Sequence, residues 1–279
     1  MQILPKKFGD KYEALLTYLR GLEGVVLAYS GGADSTFLLM AVRDSGVSAL
    51  AVTAVSPSMS SSDLNAALDM VSAISVAHEI IHTDELNDEN YSSNTPDRCF
   101  YCKSELFKKL KDIATAKGLP HVIDGSNIDD LGDYRPGLRA KASYGVISPL
   151  AEVGLTKAEI RQLSRCKGLK TWDRPSSPCL SSRLPYGEQI TVSALRMVEQ
   201  AEVVLKDLGF VNLRVRKHGD MARIELMDED IAKAVRAEIK EVIIQRFREI
   251  GFLYVTLDME GYRSGSLNRG LKAAGVSIS

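Results

Sequence analysis

The chain reads as an α/β protein, a parallel sheet with helices on both faces, followed by a smaller α+β domain. Three observations predict this. Short apolar runs alternate with amphipathic stretches through the first half, as they do when parallel strands are joined by crossover helices. A glycine turn, Ser30-Gly31-Gly32-Ala33-Asp34-Ser35, sits where a strand gives way to a helix. A proline- and serine-rich stretch then separates these elements from a second set in the order α-β-β-α-β.

Taken in order, Val25 to Tyr29 is short, apolar and β-branched at its start, and Thr36 to Val42 is long enough for a buried helix. Ala49 to Ala54, Glu79 to His82 and His121 to Asp124 supply the other strands, with helical patterns between them. Thr156-Lys157-Ala158-Glu159 has the Ser/Thr-x-x-Glu form of a capping box, opening a helix that runs to Cys166 and ends at Gly168. Asp173 to Pro185 holds three prolines and four serines and reads as a loop. It divides the chain into a first domain over 1–172, a cysteine-bearing linker over 173–187 and a C-terminal domain over 188–279. In that last domain Ser193 to Leu208 is helical, and Val211 to Lys217 pairs with Ala222 to Met227 as a hairpin about His218-Gly219-Asp220-Met221. Asp228 to Arg248 reads as one helix and Phe252 to Asp258 as a final strand, an order that suggests a ferredoxin-like arrangement.

Composition sets outer bounds. With 279 residues, 45% hydrophobic and 25% charged, the chain has the balance of a folded globular protein. Its 35 Lys and Arg against 36 Asp and Glu give a net charge of −1, so there is no global attraction to nucleic acid, although a local basic patch stays open. No apolar run reaches membrane-spanning length, and Met-Gln-Ile-Leu-Pro-Lys-Lys has no signal-peptide core, so a cytoplasmic protein is expected. Four cysteines in a chain of this size point to reactive or metal-binding thiols rather than a secreted disulfide scaffold.

The glycine turn is where chemistry enters. A helix N-terminus offers unpaired N–H groups and partial positive charge, and Gly31 and Gly32 carry no Cβ to hold a ligand away. Ser30 and Ser35 add hydroxyl donors. The turn suits a phosphate, and an ordinary strand-to-helix turn capped by Ser or Asp is the alternative. It lacks both the Gly-Lys-Ser/Thr ending of a Walker A loop and the three-glycine dinucleotide fingerprint. The string resembles the pyrophosphate loop of the ATP pyrophosphatases, which include NAD and GMP synthetases and tRNA thiolation enzymes. That resemblance implies the adenine nucleotide alpha hydrolase-like fold, with ATP bound at Ser30, Gly31, Gly32, Asp34 and Ser35 and cleaved to AMP and pyrophosphate.

Cys99-Phe100-Tyr101-Cys102 sets two thiols three residues apart, flanked by Arg98 and Lys103, cations that favour the thiolate. Two thiols do not complete a metal site. Structural zinc needs four ligands, and no second Cys-x-x-Cys is present. A cubane iron–sulfur cluster with three protein thiolates and one open iron needs one more cysteine. Cys179 in the proline–serine stretch is the candidate, and a pair of semi-buried helical cysteines is the alternative reading of Cys99 and Cys102. Cys166, inside an amphipathic helix, reads as packing. Arg214 and Arg216 alternate on one strand and can converge on one phosphate, or else are charges on a solvent-facing edge. Glu202, Glu225 and Asp228 read as solvated surface acids.

Five strings together, Ser30 to Ser35, Arg98 to Lys103, Gly125-Ser126-Asn127-Ile128-Asp129-Asp130 with Asp133-Tyr134-Arg135-Pro136-Gly137, Pro178 to Gly187 and Arg214 to Gly219, resemble the LarE family. These are the ATP-dependent sulfur insertases, or pyridinium-3,5-biscarboxylic acid mononucleotide sulfurtransferases, of nickel-pincer nucleotide synthesis, which serves lactate racemase. The resemblance spans nearly the whole chain in the expected order. It implies that a substrate carboxylate attacks ATP to give an acyl adenylate and pyrophosphate, and that a sulfur nucleophile then displaces AMP to leave a thiocarboxylate. It implies Asp34 as a Mg²⁺ partner and Lys103 as a charge near the leaving group, where a solvated helix lysine is the alternative. Arg214 and Arg216 would bind the substrate's phosphate, with Ser182 and Arg183 near the sulfur source. Family members with a single cysteine at the place of Cys179 give up that sulfur once. Members with cysteines matching Cys99, Cys102 and Cys179 are thought to hold a 4Fe-4S cluster whose open iron carries transferable sulfide. The three-cysteine pattern puts the cluster first and sacrificial donation second. A trimer-based homo-oligomer, expected to be a hexamer, acting on a small-molecule nucleotide, completes the implication.

Three rival readings share the sheet. A tRNA sulfurtransferase pairs the same loop with three cysteines, but the neutral charge and the lack of RNA-binding strings weigh against it. An amide-forming synthetase would leave the cysteines idle. A nucleotide-binding regulatory module would release no pyrophosphate.

Overall fold

The structure is a computed structural model that describes residues 6–132, 136–175 and 177–263. Asp133, Tyr134, Arg135 and Ser176, which fall within the strings above, lie outside the described residues. In chain order the first elements are α1 (Lys6–Arg20), β1 (Val25–Ala28), α2 (Ala33–Ser45), β2 (Ala49–Val55), α3 (Ser61–Ile74) and β3 (His78–His82). Next come α4 (Glu89–Ser92), α5 (Arg98–Lys117), β4 (His121–Asp124), α6 (Pro136–Ser143), α7 (Pro149–Glu152) and α8 (Lys157–Cys166). Then follow α9 (Val192–Asp207), β5 (Leu213–His218), β6 (Met221–Leu226), α10 (Asp228–Ala234), α11 (Ala237–Ile250) and β7 (Tyr254–Leu257). The chain forms two compact units, one of residues 1–85 and 99–177, the other of residues 86–98 and 178–279.

The first unit is a parallel sheet in the order β3-β2-β1-β4. Because strand side chains alternate, Val25 and Leu27 enter one core with Leu15 and Leu19 of α1, Phe37 of α2 and Leu163 of α8. Val26 enters the opposite core with Phe107 and Leu110 of α5 and Ala140 of α6. Helices therefore cover both faces, and β1 reads as continuously apolar because both of its faces are buried. The chain runs from β1 outward to β2 and β3, then returns to β4 on the other side of β1. That reversal opens the carboxyl edge between β1 and β4, where open α/β sheets place ligands. The capping box of α8 is present in full, with Thr156 Oγ1 accepting from Glu159 N and Glu159 Oε2 accepting from Thr156 N.

The second unit has a three-stranded sheet in the order β5-β6-β7, antiparallel between β5 and β6 and parallel between β6 and β7. This α-β-β-α-β order lacks, among the described residues, the opening strand of a ferredoxin-like module. Leu205 of α9, Val215, Ile224 and Phe247 of α11 share its core.

The stretch read as one helix from Asp228 to Arg248 is two, although no Gly or Pro interrupts it. Helical residues advance about 100° each, so Ala234 and Ile243 would face opposite sides of one straight helix. Both are buried in the same core. Extended backbone at Arg236, ψ 139°, re-aims the second helix so that both point inward. Residues 86–98, which the sequence left inside the first domain, pack in the second unit. Tyr91 OH and Ser181 Oγ lie 2.6 Å apart, Asn94 Nδ2 donates to Pro185 O at 2.7 Å and Ile190 N donates to Ser92 O at 2.7 Å. These partners are about 90 residues away in sequence, beyond any local cue.

Candidate active site

In the first unit, β1 ends at Ala28 and the glycine turn leads into α2. Gly31 is held there by two constraints. Its φ is +71°, and a Cβ on it would lie 2.5 Å from Ala67 Cβ of α3. A Cβ on Gly125, just past β4, would lie 2.8 Å from Ser35 N, so the chain after β4 also presses against the start of α2. Ser30 Oγ lies 3.1 Å from Ser35 Oγ, which donates to Gly32 O at 3.2 Å. The result is a backbone-walled turn at a helix N-terminus, a shape and polarity suited to an anion.

Asp34 follows the turn. Its Oδ2 pairs with Lys157 Nζ, and its Oδ1 is buried with no hydrogen-bond partner. Burial raises its carboxyl above the ordinary carboxylate range, while the Lys157 ammonium pulls it back. An unsatisfied carboxylate oxygen is the hard donor that magnesium takes, so the residue fits the ion. The sequence reading missed Lys157, using it only as the start of α8, because it reaches Asp34 across 123 residues. It also missed Arg174, which donates to Gly31 O at 3.1 Å and to Asp63 Oδ1 at 2.7 Å and so locks the outer side of the turn. Asp124, at the end of β4, accepts from Ser126 Oγ at 2.7 Å and Ser148 Oγ at 2.5 Å. Lys103 is exposed, its Nζ 5.6 Å from the Phe107 ring.

Cys99 and Cys102 lie about one turn apart at the start of α5 in the first unit, Cys99 exposed and Cys102 half-buried. Arg98 turns its charge elsewhere, towards Asn94 and Tyr186. Cys179 is exposed in the second unit and precedes a short 3₁₀ turn over Leu180–Arg183. Cys166 is half-buried on α8. Thiols are the donor type that an iron–sulfur cluster takes. Among the described residues, no group of three or more His, Cys, Asp and Glu side chains is arranged to hold a metal ion.

The backbone at Cys179 is firmly held. Its carbonyl accepts from Ser182 N at 3.0 Å, Ser182 Oγ at 2.8 Å and Arg183 Nη1 at 3.2 Å, and Arg183 Nη1 also donates to Pro178 O at 2.6 Å. Arg183 is fixed in turn by Glu202, through Nε at 2.8 Å and Nη2 at 3.1 Å. Arg216 pairs with Glu225 through Nε at 2.5 Å and Nη2 at 3.1 Å and donates to Ser182 O at 2.9 Å. Glu202 and Glu225 are therefore not surface acids. Only 5% and 0% exposed, they are the counter-ions that let two arginines be buried, whereas Asp228 is exposed. Arg214 donates to Leu213 O at 2.9 Å and Tyr262 OH at 3.3 Å. Burial and the charges of Arg183 and Arg216 push its guanidinium below its ordinary range.

Fold and site define a class: an open parallel α/β protein with an anion-shaped turn at the carboxyl edge of its sheet and a small second unit presenting a cysteine on an arginine-braced loop. No family model matches the chain. Whole-length relatives do. The chain is 35% identical over 266 residues to the pyridinium-3,5-bisthiocarboxylic acid mononucleotide synthase of Lactiplantibacillus plantarum, covering 95% of this chain and 96% of that one. It is 47% identical over 261 residues to an uncharacterized protein of Synechocystis sp., covering 93% and 97%. An uncharacterized protein of Methanocaldococcus jannaschii is 32% identical over 241 residues, covering 86% and 91%. The chain belongs to the family of the Lactiplantibacillus synthase, the LarE family. No helix among the described residues is long and apolar enough to cross a membrane.

Proposed function

We propose that this protein is an ATP-dependent sulfur insertase that converts pyridinium-3,5-biscarboxylic acid mononucleotide into its thiocarboxylate form. The observation that carries this reading is its 35% identity, over nearly the full length of both chains, to a bisthiocarboxylic acid mononucleotide synthase. The glycine turn supports an ATP-activating step. Ser30, Gly31, Gly32 and Ser35 receive the pyrophosphate portion, and Asp34 offers its unpartnered oxygen to Mg²⁺, which when bound neutralises phosphate charge. A substrate carboxylate oxygen attacks the α-phosphorus and the α–β phosphate bond breaks, releasing pyrophosphate. A sulfur nucleophile then attacks the acyl carbon and AMP leaves with the bridging oxygen. Lys103 serves as a cation for the leaving group, and Arg214 and Arg216, with Ser182 and Arg183, serve the substrate.

Cys99, Cys102 and Cys179 are the proposed ligands of a 4Fe-4S cluster, which would supply transferable sulfide. Their donor type and the exposure of Cys99 and Cys179 support that reading. Sacrificial loss of sulfur from Cys179 is the second reading, favoured by the exposure of that thiol on a pinned backbone. The protein is proposed to work in the cytoplasm as a trimer-based homo-oligomer. Incubation with ATP, Mg²⁺, the biscarboxylate mononucleotide and sulfide, after anaerobic reconstitution with iron, is expected to release pyrophosphate and yield more than one thiocarboxylate per chain. No substrate-dependent pyrophosphate would sink the insertase reading. One turnover per chain, with a loss of sulfur mass at Cys179, would replace the cluster by the sacrificial route.

A further inference from the structure

Three arginines are buried among the described residues, Arg98, Arg183 and Arg216, and all three belong to the second unit. Two are matched in the same way, each presenting the Nε–Nη2 edge of its guanidinium to both oxygens of a glutamate. Arg98, 4% exposed, is not. Its Nη1 donates to Asn94 Oδ1 at 2.6 Å and its guanidinium carbon lies 4.7 Å from the centre of the Tyr186 ring. Its Nε is buried with no hydrogen-bond partner. The edge that grips a carboxylate in Arg183 and Arg216 thus meets no carboxylate in Arg98 among the described residues. An unmatched buried guanidinium is costly, and an incoming anion would remove that cost.

Its place in the chain points the same way. Arg98 is the first residue of α5, a 20-residue helix with no acidic side chain in its first turn. A helix N-terminus favours an anion, and here the protein itself supplies a cation. The guanidinium is also oriented in advance. Asn94 is fully buried and its Nδ2 donates to Pro185 O at 2.7 Å, which leaves Oδ1 to face Arg98.

We propose that the Nε–Nη2 edge of Arg98 is an oxyanion-binding site, taking a two-oxygen anionic group, carboxylate or phosphate, of a small-molecule ligand. The planar fork matches such a group bidentately. Choosing a dicarboxylate as a probe rests on the sulfur-insertion reading; the oxyanion site does not.

The test is thermal unfolding of the full chain, alone and with pyridine-3,5-dicarboxylate or inorganic phosphate, for wild type, Arg98→Met, Arg98→Gln and, as a control at a surface arginine 59% exposed, Arg246→Met. An anion that binds only the folded chain raises its melting temperature with concentration. Without anion, Arg98→Met is expected to melt no lower than wild type, because it removes an unmatched buried charge. It is expected to lose the upward shift that the dicarboxylate gives to wild type and to Arg246→Met. A phosphate shift lost in the Arg98 variants instead sustains the site and makes phosphate the source. Arg98→Gln, which keeps a bond to Asn94, gives the same reading if the Met variant does not fold. No shift with either anion in wild type, or a shift that survives in both Arg98 variants, overturns the proposal. Failure of the dicarboxylate alone counts against the substrate reading and not against the site.

Discussion

The two units place charge at their candidate sites in opposite ways. In the first, Asp34 and Lys157 form an accessible pair, 21% and 35% exposed, and Asp34 keeps one oxygen without a partner. In the second, Arg183–Glu202 and Arg216–Glu225 are nearly sealed, at 3% and 7% and at 7% and 0%, and every carboxylate oxygen in them is engaged. A half-exposed pair contributes little to stability and can be opened by a ligand, whereas removing one partner of a buried pair strands a charge away from water. The difference separates an exchangeable site from a frame. The glycine turn is walled by backbone, and Asp34 beside it is free to change partners. The Cys179 loop is held by side chains that are not.

The largest effect is expected from breaking the frame. Glu225→Ala leaves Arg216 buried without its carboxylate and should cost about 3–5 kcal/mol in urea denaturation, with a lower midpoint and an unchanged slope. Arg216→Met combined with Glu225→Leu removes both charges and should recover most of that loss. A cost under about 1 kcal/mol for Glu225→Ala would put the pair in the class of surface ion pairs and dissolve the contrast. The consequence for activity is practical. A raised KM in Arg216→Ala reports on the substrate only when the urea midpoint is held in view, because this arginine also carries Ser182 O.

Next come the two glycines, which split steric from ligand effects within one turn. Gly31→Ala meets a positive φ and Ala67 Cβ at 2.5 Å, and should cost about 2–3 kcal/mol. Gly32→Ala has an ordinary φ of −71° and no atom nearer than Ser30 Oγ at 3.5 Å, so its stability should change by less than about 0.5 kcal/mol. If the turn is an anion cradle, Gly32→Ala still weakens ATP–Mg²⁺ binding, measured by titration. Unchanged binding would leave the turn with a packing role alone.

How far the sequence could be read follows the same division. The strands, the glycine turn and the α8 capping box are local, set by periodicity and by residues within a few positions of one another, and they appear where the pattern puts them. The Lys157–Asp34 pair, the burial of Glu202 and Glu225 and the membership of residues 86–98 in the second unit depend on partners 9 to 123 residues away. No local propensity encodes them. Glu225 shows why. Placed in a strand beside Arg223, it looks like one more charge on a solvated ribbon, and only the register Arg214↔Glu225 and Arg216↔Arg223 shows it sealed under Arg216. The break at Arg236 was illegible for a related reason, since it satisfies a core on two sides rather than any residue preference at the break.

The smallest effect on stability, and the sharpest on function, is expected at Asp34. Burial raises its carboxyl above the ordinary range, with Lys157 opposing, so the folded chain holds that proton more tightly than the unfolded chain does. The sign follows: an ionised Asp34 detracts from stability above its folded pKa, and that penalty relaxes as pH falls through it. Asp34→Asn removes the titration. At neutral pH its stability should equal or slightly exceed that of wild type, within about 1 kcal/mol, because the pair with Lys157 is half-exposed. Its stability should also rise less, relative to wild type, as the solution is acidified into the range just above ordinary carboxylates. Binding of ATP–Mg²⁺ should nevertheless fall by roughly tenfold or more, the worth of one charge-assisted contact. Urea midpoints across pH, set beside nucleotide titrations, separate the two effects. If Asp34→Asn instead loses more than about 2 kcal/mol while binding nucleotide normally, Asp34 is a frame residue like Glu225, and the first unit is built on the same principle as the second.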